Sequence, residues 1–227
     1  MGGSSGDGIV FLFDCDNTLL DNDRVHDDLD AHLRGLFGVE PAARYWRFFE
    51  ELRTELGYAD YLGAVQRFRL DLQRDPRVLQ LSAFLLDYPF AERLYPGALA
   101  AVDHCRGFGL TVILSDGDAV FQPRKLERSG IRAAVEGRVL IYVHKERELD
   151  EVARLYPARR YVMVDDKLRL LAAMKSVWAD RLFTVFPRQG HYAMDVAGNR
   201  ALPPADLSVE HIGELATHDF SPLTGVK

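Results

Sequence analysis

One stretch limits what this chain can fold into more than any other: Ile9-Val10-Phe11-Leu12-Phe13-Asp14-Cys15-Asp16-Asn17-Thr18-Leu19. Five apolar residues, β-branched and aromatic, run directly into two aspartates one residue apart. A run this short, bounded by glycine and by carboxylates, reads as a strand buried on both faces rather than as a helix. A buried strand ending in Asp-x-Asp delivers charge to the carboxyl edge of a sheet. In open parallel sheets that edge is where ligands bind. Aspartates also cap turns without further purpose, so the remainder of the chain has to decide between the two roles.

After Leu20 the pattern changes. From Asp21 to about Tyr88 no β-like run occurs, and apolar residues recur at helical spacing. Val25, Leu29, Leu33, Leu36 and Phe37 form one stripe. Pro41 opens a second helix through Tyr45, Phe48, Phe49, Leu52 and Leu56, which Gly57 closes. The spacing predicts a third helix over 60–74 and a fourth over 77–86. Their aromatic stripes fit a core or an interface. Asp21-Asn22 on one side and Tyr88-Pro89 through Gly97 on the other are hinge candidates.

From Pro96 onward strands and helices alternate. Buried-strand runs occupy 110–114, 139–143, 161–164 and 182–185, with helical segments before, between and after them. This alternation predicts an α/β chain with a Rossmann-like, doubly wound parallel sheet and right-handed crossovers. The expected organisation is a core domain of residues 7–20 and 95–227, interrupted by an α-helical cap domain of residues 21–94. Residues 1–6, Met-Gly-Gly-Ser-Ser-Gly, read as a flexible leader or tag. In the tail, Leu207 to Val209 reads as a short strand, His211 to Ala216 as a short helix, and Ser221 to Lys227 as frayed.

The chain carries 28 Lys and Arg against 34 Asp and Glu, a formal charge of -6, which speaks against nucleic acid or an anionic membrane as partner. Two cysteines, Cys15 and Cys105, make no zinc spacing and no disulfide framework, so a reducing, cytoplasmic setting is expected. Cys15 reads as packing, because two flanking carboxylates would raise its pKa. Apolar runs are strand-sized, too short to span a bilayer. A monomer and a homodimer are equally compatible with the sequence.

Polar residues follow four strands at once: Asp14 and Asp16, Ser115, Lys145, and Asp165 with Asp166. In a parallel sheet these ends point the same way and can converge. Four gathered carboxylates are costly unless cations compensate them. Lys145 supplies one positive charge; an all-oxygen set suits magnesium for the rest. Magnesium-neutralised carboxylates around one nucleophile are what phosphoryl transfer requires.

Asp14-Cys15-Asp16-Asn17-Thr18-Leu19, Leu114-Ser115-Asp116-Gly117, Lys145 and Val164-Asp165-Asp166 resemble, in order, the four motifs of the haloacid dehalogenase-like hydrolases. The likeness covers roughly 8–20 and 95–190, and the segment 21–94 falls where that family's small helical cap is inserted. Dehalogenases of the family usually carry tyrosine two residues after the nucleophile and lack the paired acids. The resemblance therefore implies a magnesium-dependent phosphatase acting on a small phosphorylated metabolite through an aspartyl-phosphate. It implies Asp14 as nucleophile and Asp16 as acid and base. Asp14, Asp165, Asp166 and the backbone carbonyl of Asp16 would hold Mg2+, while Ser115, the Asp116 amide and Lys145 would bind the phosphoryl group. Other readings are a phosphomutase or phosphotransferase, a 2-haloacid dehalogenase, or a non-catalytic binding module.

Secondary candidates follow from placement. Lys125 and Lys167 could stand in for Lys145, but Lys125 falls within a helix after the second strand, whereas Lys145 sits beside a strand end. Lys167 is given no catalytic role. Ser115 could also be an N-cap, and Asp118 reads as a cap or turn acid. His144 could line the site. Arg188 or His191, after the fifth strand, could read part of the substrate.

Overall fold

The computed structural model describes residues 8–224. The leader 1–6 and the end of the tail lie outside them. β1 (Ile9–Phe13) is followed by four consecutive helices: α1 (Asn22–Phe37), α2 (Val39–Leu56), α3 (Tyr61–Asp71) and α4 (Arg77–Asp87). Then come α5 (Ala98–Arg106), β2 (Leu110–Asp116), α6 (Phe121–Arg128), α7 (Ile131–Ala134) and β3 (Val139–Tyr142). A 3-10 turn at Lys145–Arg147 leads to α8 (Leu149–Leu155), β4 (Arg160–Val164), α9 (Leu168–Trp178) and β5 (Leu182–Pro187). The chain closes with α10 (Gly190–Met194), α11 (Val196–Asn199), β6 (Leu207–Val209), a 3-10 stretch at Ile212–Thr217 and α12 (Ser221–Thr224).

The six strands form one wholly parallel sheet in the order β3-β2-β1-β4-β5-β6. β1 lies in its middle, so both faces of Ile9–Phe13 are covered. Alternation along the strand divides its side chains between two cores. Ile9, Phe11 and Phe13 join the cluster that includes α1–α6, whereas Val10 and Leu12 join the one that includes α8 and α9. Helices on both faces of a parallel sheet make the doubly wound α/β fold that the alternation predicts. Removing the Phe11 ring from this centre would cost about 3–5 kcal/mol.

Local signals set the element boundaries. Asp21 accepts a hydrogen bond from the Arg24 amide at the start of α1, and Asp60 caps α3 through Gly63 N. Gly57 ends α2 at φ 82, a left-handed cap. α3 is shorter than its periodicity suggests: it stops at Asp71, and Gln73 and Arg74 have positive φ, which turns the chain toward α4. The helical segment between β3 and β4 is split into a 3-10 turn at Lys145–Arg147 and α8. The short helices α7, α10 and α11 had no periodic stripe long enough to show.

The two links between the helical insertion and the sheet run side by side. Leu20 and Leu94 form an antiparallel bridge, Asp21 N donates to Arg93 O, and Tyr95 N donates to Leu19 O. Among the described residues no helix is long and apolar enough to cross a membrane.

Candidate active site

Strand register brings the predicted residues together. Phe13 is in step with Ile113 on one side and Val164 on the other. Asp14 and Asp165 are each the first residue past this line, and Ser115 is two past Ile113. The ladder continues one rung further through Asp14 N to Val164 O and Asp165 N to Val185 O. Asp116 faces Tyr142 on β3, and its Oδ1 accepts from the backbone N of Lys145 at 2.8 Å. Asp166 N donates to Thr18 Oγ1 at 3.1 Å, fastening the last acid pair to the loop after β1.

Asp14, Asp165 and Asp166 are buried, and one ligand oxygen from each lies within 4.8 Å of the other two. At that spacing two carboxylates repel by about 3–4 kcal/mol for an effective dielectric of about 20. The fully buried Lys145 compensates part of this, its Nζ 2.5 Å from Asp14 Oδ1 and 2.7 Å from Asp165 Oδ2. Burial alone would push the Lys145 ammonium down, but Asp14 and Asp165 outweigh burial and hold it above the ordinary lysine range. Asp166 is shifted far up by its burial, then by Asp165 and Asp14. Asp165 is raised by burial and partly relieved by Lys145. Asp14 Oδ2 and both oxygens of Asp166 are buried with no hydrogen-bond partner. Three buried carboxylates this close, several of their oxygens without a hydrogen-bond partner and Lys145 the ammonium in contact with them, fit a divalent cation that prefers oxygen ligands.

Asp16 stands apart from this cluster. Its carboxylate is held by Lys125, with Nζ 2.7 Å from Oδ1 and 2.9 Å from Oδ2. Lys145 takes the place expected for it, and Lys125 proves to be a second buried lysine with a different partner. The signal was in the sequence: Lys125 is four residues after Phe121 and next to Leu126, on the inward face of α6. Ser115 is buried inside β2, where its Oγ accepts from Gln122 Nε2 at 3.0 Å. It is therefore not the N-cap of α6. Asp118, in the turn that leads into α6, accepts from Val120 N and Phe121 N at 2.7 and 2.6 Å.

A cavity of about 650 Å³ opens beside these residues, between the sheet edge and the helical insertion, and Asp16, Asp116, Tyr61, His144 and His191 line it. His191 is fixed by Asp23, through Nδ1 at 2.5 Å and through its backbone N at 2.8 Å. Arg188 points elsewhere: it is exposed and pairs with Glu210 at 3.2 Å. Of the two residues proposed to read substrate, only His191 lines the cavity. Lys167 lies near the acids, which hold its ammonium up against the effect of burial, and it stacks 4.9 Å over the Tyr192 ring. Cys15 is buried, and burial followed by Asp16 pushes its thiol far up, as packing requires.

The model of the haloacid dehalogenase-like hydrolases matches residues 10–177, and this chain belongs to that family of hydrolases. A crystal structure assigned to the same family, from Burkholderia xenovorans LB400, is 65% identical over 94% of this chain and 99% of its own, with a TM-score of 0.88. L-2-haloacid dehalogenase from Xanthobacter autotrophicus shares the fold at 15% identity, 91% and 96% coverage, and a TM-score of 0.60. So does the magnesium-bound YfnB of Bacillus subtilis, at 13% identity, 92% and 96% coverage, and a TM-score of 0.60. No curated protein matches the chain.

Proposed function

We propose that this hydrolase is a magnesium-dependent phosphatase of a small phosphorylated metabolite. The observation that carries the proposal is the triad of buried carboxylates close enough to share one ion, several of whose oxygens have no hydrogen-bond partner. A phosphoryl group arriving there adds negative charge, so a reaction at this place needs a cation beyond Lys145. Asp14, Asp165 and Asp166, with the Asp16 carbonyl, are the residues that would hold Mg2+. Bound there, the ion would neutralise charge on the phosphoryl oxygens and leave Asp14 free to approach phosphorus. Asp16 is the second support, because a dehalogenation releases halide and has no leaving oxygen to protonate.

In the proposed reaction an oxygen of Asp14 forms a bond to phosphorus as the ester P–O bond breaks. Asp16 gives its proton to the departing oxygen, and the alcohol leaves. A water then attacks the aspartyl-phosphate, giving its proton to Asp16, and the P–O bond to Asp14 breaks to release phosphate. Lys145 stays on Asp14 and offsets charge on both nucleophile and phosphate. Ser115 and the Asp116 amide hold phosphoryl oxygens, and burial of the strand edge removes competing water. Residues 21–94 act as a cap over this site, and its seating completes the pocket.

The test is release of phosphate from p-nitrophenyl phosphate with magnesium, then with chelator. Activity that chelator abolishes, and that Asp14→Asn and Asp16→Asn each reduce by at least about 100-fold, supports the proposal. Turnover of 2-chloropropionate with no phosphate release from any phosphate ester would assign the chain to haloacid dehalogenation instead.

A further inference from the structure

Lys125 is only 1% exposed and lies outside the acid cluster. Its Nζ has three partners: both oxygens of Asp16 and, at 3.0 Å, Oδ1 of Asn22. That uses all three donors of an ammonium. Burying a lysine costs several kcal/mol before pairing returns any of it, and an apolar residue would fill the same inward position of α6 beside Phe121 and Leu126 more cheaply. The charge is therefore present for its partners. Asn22, the first residue of α1, also donates from Nδ2 to Tyr61 Oη at 3.3 Å, and Tyr61 opens α3. One path of polar contacts thus runs from Asp16 through a buried ammonium to two helices of the insertion.

We propose that Lys125 is a positioning residue that sets the orientation of the Asp16 carboxylate. By sharing its ammonium with Asn22 it ties that orientation to the seating of α1 and α3. The inference rests on the reading of Asp16 as the acid and base. Without Lys125, Asp16 keeps only weak side-chain partners, Gln122 Nε2 at 3.5 Å and the Cys15 thiol. A carboxylate free to rotate still permits binding but is misplaced for proton transfer, so the loss falls on the chemical step. It falls hardest where the leaving oxygen is most basic.

The decisive variant is Lys125→Met, which keeps the length of the stem without the charge, assayed on p-nitrophenyl phosphate and on an alkyl phosphate. The expected result is a kcat on the alkyl ester lower by about 100-fold, a smaller loss on the aryl ester, and a KM for each within about twofold of wild type. Added to Asp16→Asn, the same change should have little further effect, since the group it positions is already gone. Equal losses on both esters, or a full further loss in the Asp16→Asn background, would overturn the inference. Should Lys125→Met fail to fold, Lys125→Gln goes through the same comparison. A crystal structure of the folded variant gives a readout independent of turnover. An Asp16 carboxylate that leaves its wild-type position supports the inference, and one that keeps it overturns it. A wild type inactive on both esters would instead remove the phosphatase reading.

Discussion

At the scale of single residues, the site is a problem of uncompensated charge. Lys145 lies between Asp14 and Asp165, and removing one partner of a buried charge group costs about 3–5 kcal/mol. Lys145→Met should therefore lower the stability of the metal-free protein by that amount in a urea titration. Asp166→Asn should do the opposite, because it removes one of three like charges and keeps the shape. A gain on the order of 1–3 kcal/mol is expected from relieved repulsion, or a rise of about 2–4 °C in Tm per kcal/mol for a chain of this size. Magnesium should raise the Tm of the wild type by mass action, and Asp166→Asn should shrink that rise. Equal magnesium shifts in both proteins would remove Asp166 from the ligand set.

Among the elements, the links of the insertion carry a second ionic group. Asp28 on α1 accepts from the Tyr88 hydroxyl, and from Arg93 at 2.8 and 2.9 Å, so the start of the insertion is tied to its return. Burial would raise the Asp28 carboxyl, but Tyr88 and Arg93 outweigh it and hold it below the ordinary carboxylate range. A carboxyl depressed in the folded state contributes stability above its unfolded pKa and loses it as pH falls through the folded value. Asp28→Asn should thus cost about 1 kcal/mol at pH 7. The gap should close as pH drops below about 3.9, the unfolded value, in denaturant titrations at stepped pH. A second element contact is steric. Gly190 begins α10 at φ 75, and a Cβ there would stand 2.5 Å from Asn17 Cβ in the loop after β1. Gly190→Ala should cost about 1–3 kcal/mol in backbone strain and lower kcat by displacing the loop that carries Asp16.

Across the whole molecule, the cavity is closed by contacts that join the insertion to the segment after β5. Arg53 of α2 donates to Tyr192 Oη at 2.5 Å, and Asp23 of α1 holds His191. These are exposed, polar contacts, worth little each, so separating the two parts at this surface costs little. Arg53→Ala combined with His191→Ala should speed amide hydrogen exchange several-fold across α1 and α2 and leave β1 and β4 unchanged. Equal acceleration in the sheet would show that the two parts unfold together rather than separate.

The sequence by itself determined the six strands, the long helices and the order in which acid-bearing strand ends occur. Those are local properties: a run such as Ile9–Phe13 can be stable only when covered on both faces, and the carboxylates after it mark the end of the strand. Tertiary structure decided the finer pairing of the charges, above all that of Lys125. Lys125 and Lys145 are both lysines near strand β2 or β3 in the chain, yet one seats on Asp16 and the other between Asp14 and Asp165. Strand register and the inward face of α6 make that choice, for Asp16 and Asp14 over separations of 109 and 131 residues, as they turn Arg188 outward and His191 toward the cavity. Periodicity reports whether a side chain is buried; partners distant in sequence are set by packing, and no local pattern encodes them.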